Sequence, residues 1–287
     1  MTTLQQFSDA LADAAAAAGQ HLVRVEARRR MPASGIVWGD GLIITAHHVV
    51  EKSEGIKVGL PDGSTTSASL IGRDPSTDIA VLRAETELSG IAQAANPARV
   101  GSVVLAVARP GKDIQASFGI ITAHVHLRQE HALQADLVMY PGFSGGALIN
   151  TSGQLVGMNT SATGSGSHLA LPLDLLRRVV GQIQQHGKIK RGYMGVSLQP
   201  VRLTPATSAL TGQSTGLMIV SVEQDGPADS AGLHQGDIIV SFDGQKTTHV
   251  EELLGLLNGE RVGRPAAVQV VRGGQAHTLS VTITERD

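Results

Sequence analysis

Pro141-Gly142-Phe143-Ser144-Gly145-Gly146-Ala147-Leu148 sets one serine among glycines, between the apolar runs at 137–140 and 147–149. Glycines beside a serine let the backbone turn tightly and bring its N–H groups close to a ligand. Such N–H groups stabilise the oxyanion of an acyl-transfer intermediate. The same string also makes ordinary turns, and two upstream segments decide between the readings. Gly41-Leu42-Ile43-Ile44-Thr45-Ala46-His47-His48-Val49-Val50 runs a buried strand into a histidine. Asp74-Pro75-Ser76-Thr77-Asp78-Ile79-Ala80-Val81-Leu82 brings an aspartate through a turn to the head of another apolar run. His48, Asp78 and Ser144 thus follow in order at strand ends and turns, where catalytic groups are usually displayed. A serine hydroxyl is a poor nucleophile until a histidine takes its proton, and an aspartate fixes that histidine's tautomer.

Around these segments, short β-branched runs at 22–25, 42–45, 56–58, 79–82, 103–107 and 155–158 are punctuated by Gly, Pro, Asp and Ser. Regularly spaced short strands with turn signals indicate a barrel or sandwich. Leu4, Phe7, Leu11 and Ala14 recur at helical spacing and predict a helix over 3–18, packed on the body or engaged in self-association. Leu176, Val179, Val180 and Ile183 predict a second helix over 173–186, stopped by Gly187. Lys188-Ile189-Lys190 reads as a short polar linker. From Arg191 the composition is that of a small α/β module, in which Thr248 and Glu251 read as a capping box opening a helix through Leu253, Leu254 and Leu257.

Thr45-Ala46-His47-His48 resembles the T-A-x-H of trypsin-like serine proteases, and His48-Val49-Val50 the H-V-V of their HtrA (Deg) branch. The segment 74–82 is similar to that branch's D-P-x-T-D-x-A-V-L, and 142–148 to its G-N-S-G-G-P-L. Gly226-Pro227-Ala228-Asp229-Ser230-Ala231-Gly232-Leu233 with Gly236-Asp237-Ile238-Ile239 resembles the G-P-A…A-G-L…G-D-x-I signature of PDZ domains. The resemblance runs from about Leu22 to the C-terminus. It implies a mainly β fold: a trypsin-like double β-barrel, with His48 and Asp78 from the first barrel and Ser144 from the second, followed by a small α/β PDZ domain. The expected division is a helical segment at 1–20, a protease domain at 21–187 and a PDZ domain at 188–287. The implied activity is that of an ATP-independent serine endopeptidase, cutting exposed apolar segments of misfolded or selected proteins, while the PDZ domain binds C-terminal peptides. The resemblance implies a homotrimer as the assembly, with Phe7 the aromatic residue near the N-terminal end. No metal or organic cofactor is implied.

On this reading Ser144 is the nucleophile, His48 the general base and Asp78 the residue that orients it. His47 competes for the base, but the T-A-x-H match and the following Val-Val place the base at His48. Adjacent strand residues point opposite ways, so His47 and His48 make no metal pair. Asp74 caps the turn before Pro75. Gly142 and Ser144 supply the oxyanion N–H donors, as the resemblance implies. Phe143 stands where the family usually has Asn and cannot make polar bonds, so the oxyanion loop is expected to be poorly fixed at rest. That departure supports an alternative, a catalytically idle scaffold whose PDZ domain does the binding. Val138, Met139 and Tyr140 line the S1 pocket by the same resemblance. An apolar lining leaves a Lys or Arg charge unpaired, so small or medium aliphatic P1 residues are expected. Asn159, Thr160 and Ser161 offer a strand edge for substrate pairing. Arg191-Gly192-Tyr193-Met194-Gly195-Val196 resembles the PDZ carboxylate-binding loop, with the N–H groups of Met194, Gly195 and Val196 as donors.

The 287 residues suffice for two domains, and aromatics at 2% leave the core to Val, Ile, Leu and Ala. A net charge of −2 argues against a nucleic-acid or anionic-membrane surface, and Arg28-Arg29-Arg30 reads as a solvated loop. The absence of cysteine excludes a disulfide framework and a thiol nucleophile. Residues 1–20 lack the basic start and apolar core of a leader, with Asp9 and Asp13 interrupting them, which predicts a cytoplasmic protein. The alternative is an exported protein whose leader has been removed. No apolar run is long enough to span a membrane.

Overall fold

The computed structural model describes residues 2–29, 31–127, 130–161, 169–187, 191–257 and 259–285. The linker expected at 188–190 lies outside them. The chain forms two compact units, residues 1–189 and 190–287.

In the first unit β1 (Leu22–Glu26), β2 (Ala33–Gly39), β3 (Leu42–Ala46), β4 (Ile56–Gly59), β5 (Thr65–Asp74) and β6 (Ile79–Ala84) close an antiparallel barrel in the order β1-β2-β3-β6-β5-β4. A second barrel closes from β7 (Val103–Ala108), β8 (Gln115–Leu127), β9 (Glu130–Ala135), β10 (Ala147–Asn150), β11 (Leu155–Thr160) and β12 (Leu169–Pro172), in the order β10-β11-β12-β9-β8-β7. Closure leaves no sheet edge unpaired. Every residue of β3 is buried, which is why 42–46 shows no alternation of apolar and polar residues. The guanidinium of buried Arg109, just after β7, donates to the carbonyls of Leu22 at 2.8 Å and Gly19 at 2.9 Å. That fixes the second barrel to the entry of the first.

The helix α1 (Thr3–Gly19) starts at Thr2, whose hydroxyl accepts from Gln5 N–H at 3.3 Å. Its packing differs from the expected stripe. Ala14, Ala15 and Ala18 are buried, while Leu4 at 78% and Phe7 at 43% are exposed, so only its C-terminal half lies on the body. The helix α2 (Leu173–His186) buries Leu173, Leu175, Leu176, Val179, Val180 and Ile183 and ends at left-handed Gly187, as its spacing predicts.

The second unit contains β13 (Gly192–Tyr193), β14 (Val196–Arg202), β15 (Thr215–Val222), β16 (Ile238–Phe242), β17 (Gln245–Lys246), β18 (Pro265–Arg272), β19 (Gln275–Thr282) and β20 (Thr284–Glu285), with helices α3 (Pro205–Thr211), α4 (Pro227–Ser230) and α5 (Val250–Leu256). The main sheet runs β14-β15-β16-β18-β19, so β14 is an edge strand. Leu217, Ile219, Phe242, Leu253 and Val268 belong to a core of this unit's own. The capping box lies one residue later than expected. His249 is the cap of α5, and the Glu252 carboxylate, not Glu251, accepts from the N–H groups of His249 and Thr248. Thr248 also donates its hydroxyl to Glu252.

Candidate active site

His48 lies in a short 3-10 turn, His47–Val49, that closes β3. Asp78 heads β6, and pairing of Ala46 with Ile79 brings the two strand ends together. Three contacts hold His48 on Asp78: its backbone N–H donates to Oδ1 at 2.9 Å, its Nδ1 lies 2.9 Å from Oδ2, and the N–H of His47 donates to the Asp78 carbonyl at 3.0 Å. An ionised carboxylate only accepts, so Nδ1 donates to Asp78, and Nε2 is turned toward Ser161. Burial pushes the Asp78 carboxyl up, but hydrogen bonds from His48 and from the Thr160 hydroxyl, at 2.6 Å, outweigh it and hold the group below the usual carboxylate range. Asp78 has a φ of +60°, a left-handed conformation that aspartate tolerates better than most residues and that costs on the order of 1 kcal/mol.

The turn that delivers Asp78 is built by Asp74, as expected. Its carboxylate accepts from the N–H and hydroxyl of Ser76, at 3.1 and 2.9 Å, and from the hydroxyl of Thr77 at 2.7 Å. The His47 side chain makes no hydrogen bond to Asp78 or Ser144 among the described residues. Burial, and then Arg73, lower its pKa below the ordinary histidine value of 6.5, and its Nδ1 is buried with no partner among the described residues. The lowered pKa favours the uncharged ring of this half-buried histidine.

Ser144 comes from the turn before β10, in the second barrel. Its carbonyl accepts from Ser34 N–H at 3.2 Å, and the Ser34 hydroxyl donates to the Gly142 carbonyl at 2.8 Å, so β2 of the first barrel fixes the turn of the second. Gly142 and Gly145 have φ of +91° and +81°. A Cβ on Gly145 would collide with the Ser34 carbonyl and the Thr45 hydroxyl, and one on Gly142 with Pro110. Both glycines are therefore dictated by backbone and space together. The N–H groups of Gly142 and Ser144 have no acceptor among the described residues, whereas Phe143 N–H donates to Tyr140 O and Gly145 N–H to Asn159 O.

Phe143 behaves differently from the sequence expectation. It is 1% exposed, packs in the core of the second barrel and meets Tyr140 edge to face at 5.6 Å. The loop is anchored by buried aromatic area where polar bonds were expected, so the loosely fixed loop is corrected to a packed one. The idle-scaffold alternative loses the feature that supported it.

The expected substrate edge is also corrected. Asn159 is fully buried inside the barrel, bonded by its N–H to Gly146 O, by its carbonyl to Gly145 N–H, and by its side-chain amide to Ala147 O. It holds the nucleophile turn rather than a substrate. Thr160 is buried with its hydroxyl on Asp78, and Ser161 is the exposed member of the three. Val138 and Tyr140, each 51% exposed, lie beside the turn, and Met139 packs on the second-barrel core. Ser34, Arg109 and the hydroxyl pairing of Thr160 escaped the sequence reading, since a serine or arginine within an apolar stretch carries no motif. A cavity of about 430 Å³ bordered by Ala94, Pro97, His131, Leu133 and Leu173 contains none of the triad. Among the described residues no cluster of His, Asp or Glu suits a metal ion.

In the second unit Tyr193 pairs with Thr284 and donates its hydroxyl to Glu223. The Met194 and Gly195 carbonyls accept from Ala228 and Glu223 N–H at 2.9 and 2.8 Å, while the N–H groups of Met194 and Gly195 find no acceptor among the described residues. Gly195, at φ +75°, turns the chain into the edge strand β14 at Val196.

Residues 33–158 match the family model for the trypsin-like peptidase domain, and residues 192–283 that for the PDZ domain. The structure of an HtrA-type protease, AlgW with a decapeptide, superimposes with a TM-score of 0.83 at 28% identity, covering 96% of this chain and 99% of that one. The crystal structure of the serine endoprotease from Yersinia pestis gives a TM-score of 0.83 at 33% identity over 96% of this chain and 98% of that one. The chain belongs to the HtrA-type serine proteases. This HtrA-type chain is also 33% identical, over 263 residues, to a probable periplasmic DegP-like serine endoprotease of Chlamydia trachomatis serovar D, covering 87% of the chain and 53% of the relative. It spans about half the length of the curated relatives it matches.

Those relatives are named periplasmic, which overturns the cytoplasmic expectation and points to an exported protein. The expectation rested on the polar character of residues 1–20. In this structure residues 3–19 form α1, whose Asp-bearing surface is the solvent face of a helix packed through its alanines, so its polarity reports packing and not compartment. Among the described residues no helix is long and apolar enough to cross a membrane.

Proposed function

We propose that this protein is an exported, ATP-independent serine endopeptidase that cuts exposed apolar segments of misfolded or selected proteins, with a protease domain at 21–187 and a peptide-binding PDZ domain at 188–287. The carrying observation is the His48–Asp78 pair beside a nucleophile turn whose Gly142 and Ser144 N–H groups have no acceptor among the described residues. Ser144 Oγ attacks the scissile carbonyl carbon while its proton passes to His48 Nε2, and Asp78 stabilises the imidazolium. The oxyanion is received by the N–H groups of Gly142 and Ser144. His48 then protonates the leaving amine, and water, deprotonated by the same imidazole, releases the acyl group and restores the hydroxyl.

Val138, exposed beside the turn, offers no carboxylate to a basic P1 side chain, which supports cleavage after small or medium aliphatic residues. The Met194 and Gly195 N–H groups and the edge strand from Val196 suit a peptide C-terminus that adds a strand to β14. The solved structure of AlgW with a decapeptide supports a peptide as the ligand class. Leu4 and Phe7 leave the front of α1 apolar and exposed, which supports a homotrimer that covers it.

The test is hydrolysis of a denatured protein library with mapping of the cut sites. Cuts should follow Val, Ala or Leu, and Ser144→Ala and His48→Ala should each lose on the order of 10⁴-fold or more in kcat, because triad members act as a unit. His47→Ala should keep most of the activity. Dominant cleavage after Lys or Arg, or an active His48→Ala protein, would overturn the assignment.

A further inference from the structure

Ser161 lies between the nucleophile and the base. The Ser144 and Ser161 hydroxyl oxygens are 2.9 Å apart, and Ser161 Oγ is 3.4 Å from His48 Nε2. The hydrogen bond described for Ser144 Oγ thus goes to Ser161 and not to His48. Direct transfer of the Ser144 proton needs Nε2 within hydrogen-bond reach of Oγ. A second hydroxyl between them is a poor base and makes the transfer a two-step relay. The backbone at Ser161 is placed by β11, whose last residue, Thr160, is fixed on Asp78. The exposed Ser161 side chain can nevertheless leave by rotation about a single bond.

We propose that Ser161 is a positioning residue that holds Ser144 in a resting orientation and releases it when a peptide strand enters the site. The inference rests on the hydrolase reading above. A peptide whose reacting carbonyl sits on Ser144, with its neighbouring residue over His48, needs the space that Ser161 Oγ occupies at rest. Its entry turns the side chain away, and Ser144 is then free to bond His48. The resting hydrogen bond stabilises the free enzyme alone. Its loss on binding therefore weighs on KM and on kcat/KM, and leaves kcat untouched.

The experiment compares wild type with Ser161→Ala and Ser161→Gly, which remove the hydroxyl, and with Ser161→Thr, which restores one. Each is treated with a small fluorophosphonate and, separately, with an extended apolar peptide. In the labelling step Ser144 Oγ forms a bond to phosphorus, fluoride leaves with the bonding pair, and the serine proton goes to His48. Ser144→Ala is the control for the labelled position. The second-order labelling constant of Ser161→Ala and Ser161→Gly should exceed that of wild type by about twofold to tenfold, the factor that one net hydrogen bond represents. Ser161→Thr should return toward the slower rate. With the peptide, KM should fall by a similar factor at unchanged kcat. Equal or slower labelling without the hydroxyl, or a fall in kcat, overturns the role of Ser161 while the hydrolase reading stands. Absence of Ser144 labelling in every protein sinks the hydrolase reading itself, and the inference with it.

Discussion

At the scale of the residue, Phe143 separates what a motif says from what its neighbours do with it. The sequence string differs from the family at this position, and a polar side chain is missing where the loop was expected to need one. The ring instead fills the core of the second barrel at 1% exposure. Phe143→Asn should therefore destabilise the protease unit by about 3–5 kcal/mol, since it forfeits the buried ring and leaves an amide without a partner in an apolar site. Urea unfolding measures the loss. Basal hydrolysis should fall or stay level, and a rise in hydrolysis with stability unchanged would restore the loosely held loop. The identities of His48, Asp78 and Ser144 were legible because each sits in a local string with its own turn chemistry. Ser161 and Thr160 were legible only as strand residues, because their hydroxyls acquire meaning from Asp78 and Ser144, which lie far away in sequence and meet them through barrel closure.

At the scale of the element, the turn before β10 is shaped by strands of the other barrel. Gly145 N–H donates to Asn159 O in β11, and its α-carbon faces Ser34 of β2 and Thr45 of β3. Gly145→Ala combines a left-handed backbone with a collision against backbone oxygen, so the turn or β2 must shift. A cost of roughly 2–4 kcal/mol is expected, from a strained φ together with overpacking. A shift of only a fraction of an ångström at Ser144 should depress kcat more than KM, because the oxyanion donors act on the transition state. Steady-state kinetics and thermal unfolding on the same variant check both halves, and an active, equally stable Gly145→Ala protein would contradict the packing described here. The strands were readable from short β-branched runs, and α2 from its spacing and terminal glycine. The contact side of α1 was not. Leu4, Phe7, Leu11 and Ala14 make a fair apolar stripe, yet the body accepts only the alanine end, where side chains are small enough for close approach. The cap of α5 was misread by one residue, because Thr248 with Glu251 fits the Thr-x-x-Glu spacing as well as His249 with Glu252 fits the observed box, and threonine is the commoner cap.

At the scale of the whole molecule, the second unit has a core of its own, so residues 191–287 should fold alone. One ion pair makes that unit sensitive to pH in a direction that can be worked out. Asp237 is 1% exposed, and Arg272 reaches it with two bonds of 2.7 Å while also donating to Gly232 O. Burial pushes the Asp237 carboxyl up, but the Arg272 guanidinium and the His234 N–H outweigh it, and the folded group lies below its ordinary value of 3.8. A carboxyl lowered on folding adds stability above its unfolded pKa, and that stability is lost as the pH falls through 3.8 and below. Arg272→Ala removes the largest lowering influence and leaves the burial of the carboxylate opposed by the His234 N–H without the guanidinium. The charged form is then less well supported than in wild type, and protonation of Asp237 in both proteins removes that difference. The variant should accordingly be less stable than wild type at pH 7, and the difference should shrink as the pH is taken below 4. Melting temperatures of the 191–287 fragment with and without the substitution, measured across that range, decide the matter. A difference that stays constant would show that Arg272 acts through its bond to Gly232 O and its packing, with the charge on Asp237 irrelevant to stability.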